Sequence, residues 1–279
     1  MEQMYYRNDI KKAKTDFNEK TKKISMISNI VLLFSFLAIV IVTILAITLG
    51  NYFLFIILIL PVLLLMIILI IRYTYMQTMF RRTISELVVK IFNGDGQYNM
   101  SIPLRADVID LLQQSRISYK YDWHFLREAY VINIDADRKA YYINALISRS
   151  NGQSSQQIID GEIYILEINN KLNYQIRNDN AGMKDSTKVK SESYKLYYPK
   201  DLKPFEVDDE DFFNVYKMFK DSKSVGIDYQ DNRITVFNNM KYQKLTTLEL
   251  SEANIKIYLN NMKDKIARIE KLYAIFNQE

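Results

Sequence analysis

A run of 48 residues without a charged or histidine side chain, from Ile24 to Ile71, constrains this 279-residue chain more than any other feature. As one helix the run would measure about 70 Å, whereas the hydrocarbon core of a bilayer is about 30 Å thick. Gly50 and Asn51, which are residue types that end helices and form turns, divide the run. We therefore predict a transmembrane helical hairpin over 24–75, with spans at 24–49 and 52–72.

An anchor that stays on the protein is favoured over other interpretations of this segment. A cleaved signal peptide has a shorter apolar region, of about 7–15 residues, and a small-residue cleavage motif. The spans contain no ionisable side chain, and such side chains usually mark proton relays and ion sites. A small oligomeric channel stays open as an alternative. Pro61 predicts a kink in the second span, because proline lacks a backbone N–H.

The distribution of basic residues predicts the orientation of the hairpin. Seven Lys and Arg residues precede the first span, none lies in the turn, and more follow the second span. By the positive-inside rule, both termini lie in the cytoplasm and the protein is a multi-pass protein of the cytoplasmic (inner) membrane. The predicted membrane-interface residues are Lys22, Lys23, Arg72, Arg81 and Arg82.

The net charge of +5 does not indicate a nucleic-acid partner once the charges are placed. Residues 1–23 carry +3, Arg72 adds one, and 73–279 carry only +1, so the basic excess lies beside the apolar run. The chain has no cysteine, which excludes disulfides, thiolate metal sites and thiol nucleophiles. We predict the lipid bilayer as a partner and neither nucleic acid nor metal.

The remaining chain divides into three predicted regions. Residues 1–23 form a basic, amphipathic cytosolic helix, since Ile10, Ala13 and Phe17 recur at helical spacing. Residues 76–100 form a helical stalk and linker that ends in the Asn93-Gly94-Asp95-Gly96 breaker; its apolar stripe is Phe80, Ile84, Leu87, Val88 and Ile91. Residues 101–279 form a cytosolic α+β domain with an antiparallel sheet and a long C-terminal helix.

Several local patterns support that fold class. Helices are predicted from Pro103 to Ser115 with Ser101 as a cap, from Asp208 to Lys220, and from Ser251 to the end. Hairpins are predicted from 162–169 with 172–177 and from 225–229 with 233–237. Single strands are predicted at 130–134, 194–198 and 244–250, whereas 138–147 fits helix or strand and 178–193 has the composition of a loop.

The last helix carries the strictest periodicity outside the membrane segment. Its apolar side chains alternate in steps of four and three and form a heptad seam: Ile255, Leu259, Met262, Ile266, Ile269, Tyr273 and Phe276. Such a seam is typical of a helix that binds a protein partner or a second copy of the chain. The alternative is a helix that packs across the sheet of its own domain.

Few residues suggest chemistry. The acidic run Glu206, Asp208, Asp209, Glu210 and Asp211 lacks calcium-loop spacing and fits a helix start, where the macrodipole favours carboxylates. His124, the only histidine, is a general-base candidate with Asp122 or Glu128, but its aromatic neighbours favour a packed side chain. Phosphate-binding glycine loops and nucleophile elbows are absent from the sequence. We predict no catalytic residue, cofactor site or metal site.

The stretch from Val207 to Phe213, the segment Ile234-Thr235-Val236-Phe237 and the long last helix carry a family resemblance. With the hairpin, they make the chain resemble a family of uncharacterised bacterial membrane proteins defined by a domain of unknown function. That resemblance implies an amphipathic N-terminal helix, a two-span hairpin and a cytosolic α+β domain. It implies no catalytic residues.

The sequence therefore predicts a non-enzymatic, membrane-anchored binding or scaffold protein at the inner face of the cytoplasmic membrane. A membrane-surface enzyme of unknown reaction, or a small oligomeric channel or transport subunit, are the alternatives.

Overall fold

The computed structural model of the chain describes residues 2–50, 53–96, 98–118, 120–150, 152–168, 172–178, 186–190, 194–199, 210–230, 232–240 and 250–277. These residues divide into two compact units. The first contains 2–87 and 250–255, and the second contains the described residues of 88–240 together with 256–277. The fold is α+β, with two long apolar helices at the N-terminus and an antiparallel sheet with helices after them.

The first unit consists of long helices. Helix α1 spans Glu2–Thr48 without a break at the predicted membrane boundary, and α2 is a short turn of helix at Leu54–Ile57. Helix α3 spans Ile59–Gly94 and continues past this unit. Gly50 has a φ of 60°, a left-handed conformation that ends α1 as the sequence predicts; Asn51 and Tyr52 lie outside the described residues.

Proline interrupts the second apolar segment at the position its chemistry requires. Pro61 has no N–H to donate to Ile57, four residues earlier, and Ile57 is the last residue of α2. The helix restarts at Ile59, and the N–H of Val62 donates to Leu58 O at 3.2 Å. The predicted kink is therefore a break of the helix at Leu58.

Helices α1 and α3 contact each other as an antiparallel pair. The rings of Phe17 and Phe80 meet edge to face with centroids 6.1 Å apart. Arg72 donates to Asn29 Oδ1 at 2.8 Å and to Ser25 Oγ at 3.2 Å. Later residues of α1 meet earlier residues of α3, so the chain reverses at the turn after Thr48, and the helical hairpin forms as predicted.

The second unit is built on one antiparallel sheet, which has nine strands within the described ranges. Its strands are β1 Asn99–Ser101, β2 Trp123–Asn133, β3 Lys139–Ser150, β4 Ser155–Leu166, β5 Tyr174–Arg177, β6 Ser186–Lys190, β7 Lys195–Pro199, β8 Val225–Gln230 and β9 Arg233–Asn238. They lie in the order β1-β2-β3-β4-β9-β8-β5-β7-β6. Its helices are α4 Arg105–Gln114, α5 Glu210–Met218 and α6 Glu252–Phe276, the last of which begins in the first unit.

The two faces of the sheet have different chemistry. On one face, isoleucines of β3 and β4 and Phe237 of β9 form an apolar core with Val108 and Leu112 of α4. On the other face, Tyr130, Tyr142 and Tyr164 lie side by side, with ring centroids of neighbours 5.5–6.4 Å apart. Side chains of α6 contact this tyrosine face.

The predicted hairpin of 162–169 with 172–177 is wrong. Strand β4 pairs with β3 and β9, whereas β5 pairs with β7 and β8. The β8–β9 hairpin, which forms as predicted, is therefore inserted between the two strands. Alternating apolar residues specify which face of a strand is buried, but they do not specify which strand lies beside it.

Three further predictions need correction. Ser186–Lys190, inside the predicted loop, is a strand that pairs with β7; an edge strand needs no apolar alternation. Ser101 belongs to β1 and does not cap α4, whose N-cap is Leu104 without a side-chain hydrogen bond. Leu250 lies outside any strand, and the rest of the predicted strand at 244–250 falls outside the described residues, as does Asp208.

The structure also settles one assignment that the sequence left open and confirms the start of the last helix. Residues 138–147, which fitted helix or strand, lie almost entirely in β3. Helix α6 starts where Ser251 predicts, and the backbone N–H of Asn254 donates to Ser251 Oγ at 3.2 Å. The stalk stripe on α3 is buried along its whole length, since its five members are at most 5% exposed.

Candidate functional sites

The predicted membrane-interface residues lie near the polar ends of the hairpin. Lys22 and Lys23 are exposed on α1, close in sequence to Ser25. Arg72 of α3 reaches that same level of α1, because it bonds Ser25 and Asn29. Arg82 is exposed and pairs with Glu86 at 2.8 Å, and Arg81 is half-buried. The cations therefore gather at the ends of the two apolar segments that are farthest from the turn.

The apolar segments expose most of their large side chains. In the most apolar 18-residue stretch of Asn8–Thr48 only 11% of the residues are buried, and in that of Ile59–Gly94 the share is 0%. Exposed isoleucine, leucine and phenylalanine side chains follow one another from Met26 to Ile71. Both helices are long and apolar enough to cross a membrane.

The seam of α6 is largely covered within the chain. Ile255, Met262, Ile266, Ile269 and Tyr273 are at most 2% exposed, and Leu259 and Phe276 are half-buried. The hydroxyl of Tyr273 donates to Lys139 O at 2.6 Å, and the ring of Phe276 meets Tyr229 edge to face. This burial favours the alternative of a helix packed on its own domain. A partner bound along the seam stays a prediction.

Next to the seam, α6 carries two cations into a group of charged side chains on the tyrosine face. We name this group the ionic cluster; its members are Arg127, Glu128, Asp160, Glu162, Lys265 and Arg268. Lys265 Nζ lies 2.5 Å from Glu128 Oε1, and Arg268 Nη1 lies 2.8 Å from Glu162 Oε2. Arg127 Nη2 lies 2.5 Å from Asp160 Oδ1. Three cations thus neutralise three carboxylates.

Two tyrosines complete the hydrogen bonding of the ionic cluster. The hydroxyl of Tyr142 lies between two carboxylates, 3.1 Å from Glu128 and 3.2 Å from Glu162. Tyr164 donates to Glu162 at 2.8 Å. Burial, reinforced by the neighbouring carboxylates, raises the pKa of each hydroxyl well above 10. Both phenols therefore stay protonated and act as donors, so the cluster fastens α6 to the sheet instead of supplying a nucleophile.

A β-bulge brings the charges of β2 onto this face. Leu126 pairs with Ala145 and Glu128 pairs with Asn144, so Arg127 is an extra residue between them. Before the bulge, Leu126 packs on the apolar face; after it, Ala129 takes that face and Glu128 points to the tyrosines. Arg127 also reaches the cluster, where it donates to Asn144 Oδ1 at 3.1 Å. Sequence reasoning missed the ionic cluster, although the shift in alternation along β2 is a signal for the bulge.

A second charged pair is buried on the opposite face. Asp228 is fully buried on β8, and Arg116 donates to both of its carboxylate oxygens, at 2.5 and 3.3 Å. Arg116 adopts a φ of 54°, uncommon for a non-glycine residue, and also bonds Asn173 and Tyr229 O. Burial raises the pKa of Asp228 to about 7, although Arg116 opposes that rise.

His124 does not form a catalytic pair with its predicted partners. It is 8% exposed, its Nε2 has no hydrogen-bond partner among the described residues, and burial lowers its pKa, so the neutral ring dominates at pH 7. The carboxylate of Asp122 instead accepts two hydrogen bonds from Arg149, at 3.0 and 3.1 Å. Glu128 lies across the bulge and pairs with Lys265. Burial among apolar neighbours accounts for His124 better than general-base chemistry does.

An open recess of about 510 Å³ lies where β1 and β2 begin to pair. Its lining is rich in amides: Asn93, Gly96, Tyr98, Asn99, Asn133, Ile134 and Asp135. Asn93 is held by two hydrogen bonds to the backbone of Met100, and Tyr98 donates to Glu270 at 3.0 Å. Its volume lies in the range of small-ligand sites, about 300–1,000 Å³. Among the described residues, no group of three or more His, Asp or Glu side chains is placed to hold a metal ion.

Large apolar side chains are exposed just before α4 and around the start of β2, and Arg105 of α4 donates to His124 O of β2 at 3.1 Å. We name this surface the aromatic tip; it consists of Ile102, Leu104, Tyr121, Trp123 and Phe125. Tyr121 is 89% exposed, Leu104 72% and Trp123 59%. The rings of Trp123 and Phe125 are nearly parallel, with centroids 6.0 Å apart. The sequence marked Trp123 only as a neighbour of His124.

No protein-family model matches the chain, and comparison with curated proteins and with solved structures finds no similar one. The roles of these sites therefore rest on the geometry of this chain.

Proposed function

We propose that the protein is a non-enzymatic, membrane-anchored binding or scaffold protein. In this proposal α1 and α3 cross the cytoplasmic membrane as a hairpin, both termini lie in the cytoplasm, and the second unit works at the inner face of that membrane. It binds a protein partner or a second copy of the chain there.

The observation that carries the proposal is the exposure of the apolar segments. A core helix of a water-soluble protein would be mostly buried, whereas the most apolar stretches of α1 and α3 are 11% and 0% buried. Soluble monomers rarely expose an apolar patch larger than a few hundred Å². From Met26 to Thr48, α1 extends about 34 Å at 1.5 Å per residue, enough for a hydrocarbon core of about 30 Å.

The charges support the proposed orientation. Lys22 and Lys23 end one span and Arg72 ends the other, and Arg72 lies beside Ser25 and Asn29. Lysine and arginine concentrate on the cytoplasmic side of membrane spans. The turn after Gly50 carries no charge, as expected for the side that must be translocated.

Binding is favoured over catalysis by the state of the one histidine. His124 is buried and neutral, and Arg149 occupies the carboxylate beside it. The amide-lined recess offers hydrogen bonds, and the one carboxylate in its lining, Asp135, pairs with Arg138.

Single cysteines test the anchor and its orientation, because the chain has none of its own. In intact cells, a membrane-impermeant maleimide should label Phe53→Cys in the turn. It should label Asn8→Cys and Asn277→Cys only after the cytoplasmic membrane is opened. The reverse pattern would overturn the orientation, and recovery of the protein in the soluble fraction would overturn the anchor. A turnover by the purified full chain that His124→Ala abolishes would overturn the non-enzymatic assignment.

A further inference from the structure

Within the described ranges of the second unit, the most exposed large apolar side chains, Tyr121, Leu104 and Trp123, belong to the aromatic tip. Tyr121 and Leu104 are 89% and 72% exposed, so little of the described part of the chain packs around them. Trp123 and Phe125 share one face of β2, because alternate residues of a strand do so, and Tyr121 lies in the turn just before that strand. Ile102 and Leu104 add aliphatic side chains just before α4. Exposure of such apolar surface to water is unfavourable, so we expect another molecule to cover it.

We propose that the aromatic tip inserts into the interfacial layer of a lipid bilayer, as a second membrane contact of the chain. This inference rests on the proposed function, in which the hairpin keeps the protein at a membrane. It adds a peripheral contact that the hairpin does not require.

The chemistry of the aromatic tip fits the boundary between headgroups and acyl chains. Tryptophan and tyrosine concentrate there, since each has an apolar ring and one polar group that reaches water. Leucine, isoleucine and phenylalanine supply the apolar surface that partitions below the headgroups. Five residues of these kinds are exposed within 102–125, and Arg105, the neighbour of Leu104, reaches β2 at His124 O.

Two exposed cations flank the aromatic tip, and the exposed carboxylate of Asp107 in the first turn of α4 offsets one of them. Lys120 precedes Tyr121 and is exposed, and Arg105 follows Leu104 and is exposed as well. Arg105 donates to His124 O at 3.1 Å, which holds its guanidinium beside β2. The carboxylate of Asp122 is buried and bound by Arg149. Cations beside an inserting apolar group strengthen binding to anionic lipids.

The proposed anchor favours lipid over a protein surface as the occupant of the aromatic tip. Tethering helps, because an anchored chain meets the bilayer at a high effective concentration, and a weak contact then suffices.

The experiment uses Trp123, the only tryptophan of the chain, as its reporter. The full chain is reconstituted into phosphatidylcholine vesicles with phosphatidylglycerol, and the lipids are brominated at shallow or deep acyl positions. We expect bromine to quench Trp123 emission, and shallow bromine to quench more, because interfacial groups lie about 5–10 Å into the boundary.

Two results would overturn the inference. In the first, aqueous iodide quenches Trp123 and bromolipids do not, so the tip stays in water. In the second, neither agent quenches it, so the tip is covered by protein, either a second copy or another part of the assembly. Leu104→Ser with Tyr121→Ser should lower the bromolipid quenching, whereas Ile257→Ser, which removes an exposed aliphatic side chain outside the tip, should leave it unchanged.

A second reporter separates this inference from the proposed anchor. In the Trp123→Phe background, Phe36→Trp places the only tryptophan in the middle of the α1 apolar segment, where Phe36 is exposed. Deep bromine should quench this reporter most. If Phe36→Trp is quenched and Trp123 is not, the tip inference fails and the anchor stands. If neither is quenched, both fail.

Discussion

The pair of Lys265 and Glu128 is the part of the ionic cluster whose contribution can be worked out most directly. The two side chains are 13% and 14% exposed, and their charged atoms lie 2.5 Å apart. The ammonium also lies 4.3 Å from the centroid of the Tyr142 ring. Glu128→Gln keeps the size of the side chain and removes its charge, so it leaves a buried ammonium without a carboxylate of its own.

Removing one partner of a buried ion pair costs about 3–5 kcal/mol, and the slight exposure of this pair places it at the lower end, about 3 kcal/mol. A domain of this size loses about 2–4 °C of Tm for each kcal/mol, so Glu128→Gln should lower the Tm by about 6–12 °C. The double variant Glu128→Gln/Lys265→Met removes both charges and should recover most of this loss, to within about 1 kcal/mol.

The assay is unfolding of the full chain in detergent micelles, followed by the near-ultraviolet circular dichroism of the tyrosines. Glu167→Gln is the matched control, because Glu167 pairs with Lys139 at 3.2 Å while both side chains are 40% exposed. An exposed pair contributes about 0–1 kcal/mol. If Glu128→Gln lowers the Tm no more than Glu167→Gln does, the reasoning that burial makes the ion pairs of the ionic cluster strong is refuted.

Two further predictions concern the opposite face of the sheet. Because burial raises the pKa of Asp228 to about 7, the folded chain keeps a proton that the unfolded chain releases near pH 4, and Asp228 lowers the stability as pH rises from 4 to 7. The free energy of unfolding of the wild type, relative to that of Asp228→Asn, should therefore fall by up to about 1.4 kcal/mol per pH unit in urea titrations over that range. A relative rise would contradict this prediction. A Cβ on Gly226 would collide with the Phe237 ring and crowd Arg177 Cγ, so Gly226→Ala should cost about 1–3 kcal/mol in the same titrations. Gly94→Ala, whose Cβ would meet nothing within 4 Å, is its control and should change stability by less than about 1 kcal/mol in the stabilising direction; equal losses would contradict the clash.

The parts of the fold that sequence could predict are those with local causes. The hairpin follows from the length of the apolar run and from Gly50, whose φ of 60° suits glycine. The β8–β9 hairpin follows from two alternating segments around a short turn, in which Asn232 takes a φ of 60°. The start of α6 follows from Ser251, which caps it. Each of these signals lies within a few residues of the structure it specifies.

The candidate sites depend on long-range pairing, and a single sequence does not contain that information in readable form. The Lys265–Glu128 bond joins residues 137 positions apart, and Arg268–Glu162 joins residues 106 apart. The bulge at Arg127 then decides which face Glu128 occupies. Composition identified these residues only as charged, and charged residues usually lie in water.

The heptad seam of α6 shows how the same periodicity can serve two opposite functions. The spacing of Ile255 through Phe276 is that of a partner helix, but Met262, Ile266 and Ile269 are already buried in this chain. A partner could reach them only after α6 separated from the sheet. That separation would break the ion pairs of Lys265 and Arg268, and it would leave two cations and two carboxylates, now largely covered, without their partners. Since unpairing one such charge costs about 3–5 kcal/mol, separation is strongly unfavourable without a compensating partner. Binding of a partner by the folded protein is therefore expected at a surface that is open already, and among the described residues the amide-lined recess is such a surface.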